Sequence, residues 1–124
     1  MIDFKNAGYF KLKPVDNKTG QDLVAAMLVD GEAIFASFKS VRDMVIFTDK
    51  RIIAVNVQGM SGAKKDFTSL PYSKVQVFSV ETAGKFDNDC EMELWFSGLG
   101  KVRFEFKSNF DIRSFNKLLS KYVL

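Results

Sequence analysis

From Glu32 to Lys107 the apolar residues recur at every second position, the period of a strand with one face buried. Ile34, Ala36 and Phe38 open this run, and Lys39-Ser40-Val41 makes a short connection into the clearest stretch, Arg42 to Gly59. There M-V-I-F-T and R-I-I-A-V-N-V are β-branched and aromatic arms around a polar turn at Asp49-Lys50, which predicts a β-hairpin. Val45 and Phe47 share a face of the first arm, and Ile53, Val55 and Val57 share one of the second. After the turn-rich M-S-G-A-K-K come D-F-T-S-L, closed by Pro71, and then Lys74 to Val80. The last two strands, C-E-M-E-L-W-F and K-V-R-F-E-F-K, each send one apolar row inward across the link Gly98-Leu99-Gly100. With that link as the turn, Trp95 faces Arg103, Glu91 faces Lys107 and Glu93 faces Glu105.

Two stretches carry the helical period instead. Thr19 is positioned to cap a helix over 19–29, with Asp22 at the capping-box spacing, Leu23, Val24, Met27 and Leu28 on one stripe, and Asp30-Gly31 as the stop. Over 109–122, Ile112, Phe115, Leu118, Leu119 and Tyr122 form an amphipathic stripe, with Ser108 as the cap, Asp111 as its reciprocal partner and Arg113, Asn116, Lys117, Ser120 and Lys121 on the wet side. Residues 1–18 read as an arm or short strand ahead of a single domain over 19–124. The pattern therefore gives seven antiparallel strands over 32–107 with a short helix before them and a longer one after, the last docking Phe115 and Leu119 over the open end of the sheets.

Composition changes this picture little. A chain of 124 residues with 47% hydrophobic content and thirteen Phe supports one Phe-rich core without a disulfide or metal staple. A single cysteine fits a reducing compartment, and the charged N-terminus lacks the apolar core of a signal peptide, so a cytoplasmic protein is expected. The net charge of +3 hides a division. Residues 81–93 hold Glu81, Asp87, Asp89, Glu91 and Glu93 against Lys85, whereas 101–124 hold Lys101, Arg103, Lys107, Arg113, Lys117 and Lys121 against Glu105 and Asp111.

Catalytic chemistry is not legible. The chain has no His, which removes the commonest general base and His-containing metal sites. Cys90 lies between Asp89 and Glu91, neighbours that oppose thiolate formation, so it reads as a strand cysteine and not as a nucleophile. D-N-D-C-E at 87–91 opens like a calcium loop, but Met92 stands where the glycine is needed. The glycine-lysine stretches at 59–65 and 98–101 lack phosphate-loop spacing. The charged tip Thr48-Asp49-Lys50-Arg51 reads as a solvated turn or as a contact point for a partner protein, and the basic helix face reads as a wet face without the aromatic interleaving of a nucleic-acid binder.

Seven strands followed by one amphipathic helix is the element order of a pleckstrin homology domain. The stretches F-K-S-V-R-D-M-V-I-F-T-D-K-R, V-Q-G-M-S-G-A-K-K-D-F, L-P-Y-S-K-V and F-S-V-E-T-A-G-K-F-D resemble the bacterial pleckstrin-homology-like family, originally a domain of unknown function. The resemblance implies two near-orthogonal antiparallel sheets plugged by the helix, no cofactor, cyclic self-assembly by joining sheet edges with a five-fold ring favoured, and a polar surface that recruits other proteins. The chain departs from eukaryotic members in placing Phe115 where their helix usually holds a Trp. It departs again in holding Lys39 and Arg42 on a tight turn beside Asp43, a poor cradle for phosphoinositide. The expectation is a non-catalytic, self-assembling interaction module, with Lys39, Arg42, Asp43, Asp49, Lys50, Arg51, Glu91, Glu93 and Trp95 as its candidate surface. A peripheral domain that binds anionic lipid is the alternative, and an enzyme is the least supported class.

Overall fold

In the computed structural model, which describes residues 1–124, the chain runs through β1 (Tyr9–Val15), α1 (Asn17–Val24), β2 (Ile34–Ser40), β3 (Asp43–Thr48), β4 (Arg51–Gln58), β5 (Lys64–Pro71), β6 (Val75–Glu81), β7 (Cys90–Phe96), β8 (Gly100–Phe106) and α2 (Ile112–Val123). That is one strand more than the seven expected, the addition being β1 in the N-terminal arm. The residues group into two units, Met1–Ile2 with Pro14–Pro71 and Asp3–Lys13 with Tyr72–Leu124.

In the first unit β2, β3, β4 and β5 form an antiparallel meander. The hairpin turns at Asp49-Lys50 as the pattern predicts. Its register sets Met44 against Val55 and Ile46 against Ile53 on one face, and Val45 against Ala54 and Phe47 against Ile52 on the other, and all eight are buried. Near-continuous apolar runs are what a strand covered on both faces requires. The covering of the first face is α1, whose Val24 packs with Met44, Ile46, Ile53 and Val55.

This helix starts earlier than the Thr19 cap implies. Asp16 is the cap, its carboxylate accepting the Lys18 N–H at 2.9 Å, while Asp22 pairs with Lys18 on the surface. The helix gives way at Ala25–Met27 to one turn of 3-10 helix, and Leu28 is already extended. Gly31, at φ +80°, therefore closes no helix; it shapes the turn in which the Glu32 N–H donates to the Val29 carbonyl.

In the second unit the strand order is β1-β8-β7-β6. β1 runs parallel to β8, Tyr9 beside Phe104 and Leu12 beside Phe106, so the expectation of a wholly antiparallel fold is corrected here. Lys11, at φ +55°, lies between those two pairs, where the register shifts.

The β7–β8 register also differs from the one expected. The turn is Ser97-Gly98-Leu99, with Phe96 opposite Gly100, because both Gly98 and Gly100 take positive φ and the second strand begins one residue sooner. Trp95 accordingly faces Lys101, Glu93 faces Arg103 and Glu91 faces Glu105. The change spans two residues in total, so the inward row is preserved and Met92, Leu94, Val102, Phe104 and Phe106 are fully buried.

α2 is capped by Asp111 and not by Ser108: its carboxylate accepts the Ser114 N–H at 3.1 Å and the Ser114 hydroxyl at 2.7 Å. Ile112, Phe115 and Leu119 are buried, with Phe115 ring-packed on Phe106 and Phe110 at 5.8 and 5.4 Å. No helix is long and apolar enough to cross a membrane.

Candidate interaction surface

The nine candidate surface residues fall in three places. Lys39, Arg42 and Asp43 lie at the β2–β3 turn, Asp49, Lys50 and Arg51 at the opposite end of β3, and Glu91, Glu93 and Trp95 on the outer face of β7.

At the first place the two-residue turn Val41-Arg42 puts a β-branched side chain at φ +42°, with Val41 94% exposed. The exposed Arg42 donates from its guanidinium to the Gly59 carbonyl and ties this turn to the β4–β5 loop. Asp43 accepts the Val57 N–H at 2.8 Å and the Asn56 amide at 3.3 Å. Lys39 projects from β2 into solvent. Both cations of this turn are exposed, and Arg42 also serves a backbone carbonyl.

At the second place the expected exposed tip is largely a structural knot. Thr48 is buried, and its hydroxyl donates to Glu32 Oε2 at 2.6 Å while accepting the Lys50 and Arg51 amides. Arg51 is corrected from an exposed group to a committed one: it meets the Glu32 carboxylate, the Met27 carbonyl at 2.7 Å and the Ser69 hydroxyl at 3.0 Å. The Glu32 side chain is fully buried. Burial alone would raise its pKa, but hydrogen bonds from Thr48, Arg51 and the Val29 amide prevail and hold it below the ordinary glutamate value. Asp49 pairs with Ala33 through both its amide and its carboxylate, which leaves Lys50 as the exposed charge of the tip.

At the third place the register places acids and bases on one lattice. Glu91 pairs with Arg103 and Glu93 with Lys101 at 2.9 Å, each diagonally across β7–β8. The acidic 81–93 and basic 101–124 segments therefore neutralise each other in part within one subunit. Arg103 also lies 5.5 Å from the Phe10 ring. Trp95, 49% exposed, stands opposite Val77 of β6, itself 62% exposed. A groove of about 660 Å³ runs from Trp95 past Phe10, Phe4 and Lys5, walled on one side by the N-terminal arm. Nothing local in the chain marks Phe10, Lys5 or Glu32 as members of these places, because their roles depend on partners distant in the chain.

Cys90 is buried, and its thiol is pushed up by burial, with Asp89 and Glu91 adding to the rise.

Two strands, β5 and β6, have an open edge. β5 is hydrogen-bonded on one side only, to β4, and β6 on one side only, to β7. β5 carries Lys64, Lys65 and Asp66 at its start and Pro71 at its end, features that discourage unselective pairing. β6 reads V-Q-V-F-S-V-E, with no charge before Glu81.

Comparison with known proteins agrees with this fold. The chain is 46% identical over 102 residues to the Bacillus subtilis protein YjqA, covering 81% of this chain and 82% of that one. It is 31% identical over 109 residues to YozO of the same organism, covering 88% and 94%. Its structure is similar, with a TM-score of 0.81 and 32% identity over 93% of this chain and 99% of the other, to a DUF1696 family protein with a pleckstrin-homology domain from Shewanella loihica. The family model of the bacterial PH domain matches residues 3–123, and with its eight strands and C-terminal helix the chain belongs to the bacterial PH domain family.

Proposed function

We propose that this protein is a non-catalytic interaction module that assembles with copies of itself into a closed ring, pairing the β6 edge of one copy with the β5 edge of the next, and that the ring displays its polar faces to partner proteins. The observation that carries this reading is the pair of unlike open edges, β5 and β6. Each presents a row of backbone N–H and C=O groups on one side, and such rows find partners. Because the edges differ, the contact is heterologous, the kind that closes into a ring when its rotation permits. The resemblance to the bacterial family favours five copies.

Charge selects the direction of pairing. Antiparallel alignment brings Glu81, at the end of β6, to Lys64 and Lys65, at the start of β5. Parallel alignment would set Glu81 against Pro71 and Lys74 beside Lys64. The polar faces left outward include Lys39, Lys50 and the Glu91–Arg103 and Glu93–Lys101 pairs around Trp95.

Size-exclusion chromatography of charge variants tests the contact. Glu81→Lys should shift the assembly toward monomer, raising the half-dissociation concentration several-fold, and adding Lys64→Glu with Lys65→Glu should restore it. If neither the single nor the triple variant moves the elution position, these edges are not the contact.

A further inference from the structure

The groove that opens at Trp95 lies wholly within the second unit, between the N-terminal arm and the β7–β8 turn. Its volume of about 660 Å³ is that of a site for a small molecule. We propose that it binds a small ligand in which a flat aromatic ring is joined to a single negative charge, an aromatic carboxylate being the simplest member of that class. The site stands apart from the edge pairing, since no residue of β5 or β6 lines it.

The lining specifies the ring. Trp95 is half-exposed, and no ring or cation of the chain stacks on its indole, so it can take an incoming ring in the offset or edge-on geometry that aromatic pairs prefer. Phe10, 43% exposed, lines the same groove with the Arg103 guanidinium over its ring. The turn between the strands adds no bulk: a Cβ built on Gly98 or Gly100 would meet nothing within 4 Å.

The charge follows from counting every group around the groove. Its lining cations are Lys5, Lys101 and Arg103, and no acid lines it. Two of the three are already engaged, Lys101 by Glu93 and Arg103 by Glu91, and Glu105 stands opposite Glu91 in the register. Asp3, the acid of the arm, is turned to its own loop, where its carboxylate accepts the Lys5 N–H at 3.1 Å and the Asn6 side-chain amide at 2.7 Å. Lys5 is therefore the one lining cation outside an ion pair, and it is exposed. One uncompensated cation suits one negative charge, whereas a polyphosphate would meet the repulsion of Glu91 and Glu93. Arg103 adds a donor: its Nε–H is buried without a hydrogen-bond partner, a cost that an acceptor oxygen on the ligand would relieve.

The arm is shaped before anything binds. The Ala7 N–H donates to the Asp3 carbonyl at 2.8 Å, and Phe4 is buried with its ring 6.4 Å from that of Tyr9. A wall already in place loses less freedom on binding than a mobile one.

Nuclear magnetic resonance of the full chain tests the site, because the single Trp gives a single indole N–H signal. Phenylacetate at millimolar concentration should shift that signal and the Gly98 and Gly100 amides saturably. Phenylacetamide, which keeps the ring without the charge, and acetate, which keeps the charge without the ring, should each bind about tenfold more weakly. Lys5→Gln should weaken phenylacetate about tenfold and leave phenylacetamide unchanged. The absence of a saturable shift with phenylacetate would overturn the proposal, as would equal binding of phenylacetamide or indifference to Lys5→Gln. Adenosine diphosphate, a ring bearing several charges, should bind no more tightly than phenylacetate, and markedly tighter binding would overturn the assignment of a single charge.

Discussion

Arg51 and Glu32 form a two-point ion pair, Nε donating to Oε2 and Nη2 to Oε1, each at 3.0 Å. The same guanidinium holds the carbonyl of Met27, so one side chain joins the segment after α1 to the start of β4. Removing one partner leaves the other charge without its mate in a largely water-free place. Arg51→Ala should cost about 3 kcal/mol, measured by chemical denaturation. A loss within a few tenths of a kcal/mol would return Arg51 to the exposed surface that the sequence suggested.

The same pair sets a pH dependence. Glu32 has its folded pKa below the ordinary value, so its contribution to stability is fully present above the unfolded glutamate pKa and is lost as pH falls through the folded one. Denaturation midpoints of the native chain and Glu32→Gln should differ most near neutrality and converge as pH falls below the ordinary glutamate pKa and through the lower folded one. A gap that widens on acidification would contradict the assigned direction.

Gly20 of α1 is buried, and a Cβ there would stand 2.4 Å from the Ser37 hydroxyl oxygen and 3.2 Å from the Ser37 Cβ. The gain of about 1 kcal/mol that Ala normally brings to a helix interior over Gly is therefore opposed by the clash. Gly20→Ala should lower the melting temperature. Adding Ser37→Ala should recover most of it, since that hydroxyl is buried without a hydrogen-bond partner. Equal losses in the single and double variants would place the cause elsewhere.

Phe115 joins α2 to Phe106 and Phe110 and is only 6% exposed. Phe115→Ala should cost about 3–5 kcal/mol, the usual range for deleting a buried aromatic ring. A loss below about 1 kcal/mol would mean that the helix is not held by this cluster.

Selective capture by phosphoinositide vesicles is not expected. Arg42 already donates to the Gly59 carbonyl, so gathering it with Lys39 on one phosphate would require giving up that bond. Sedimentation with phosphoinositide-containing vesicles should match that with vesicles of equal net charge. Tight, selective retention abolished by Arg42→Ala would overturn this reading.

What the sequence disclosed follows from which forces are local. The period of two in β7 and β8, the apolar runs of β3 and β4 and the stripe Ile112, Phe115, Leu119 are read directly, because these burial patterns are written along the chain. β1 is legible only as an arm or short strand, because its buried Tyr9 and Leu12 are three apart, with the register shift at Lys11 between them. The helix caps were misplaced by a few residues because Thr19, Ser108, Asp16 and Asp111 are all competent caps, and geometry chooses among them. Similarly, the β7–β8 register depended on which of Gly98 and Gly100 ends the turn, and both take positive φ. As for the candidate surface, Lys39, Lys50 and Trp95 are exposed as expected, whereas Arg51 is bound inward by Glu32, a residue that nothing near it in the sequence marks as a partner.

Assembly is the central claim, and the mass of the protein in solution decides it. Multi-angle light scattering of the full chain at micromolar concentration should give a single discrete mass several times 14.0 kDa, five-fold if the ring follows the family resemblance, and unchanged on moderate dilution. A mass of one chain that stays constant as concentration rises would contradict the account.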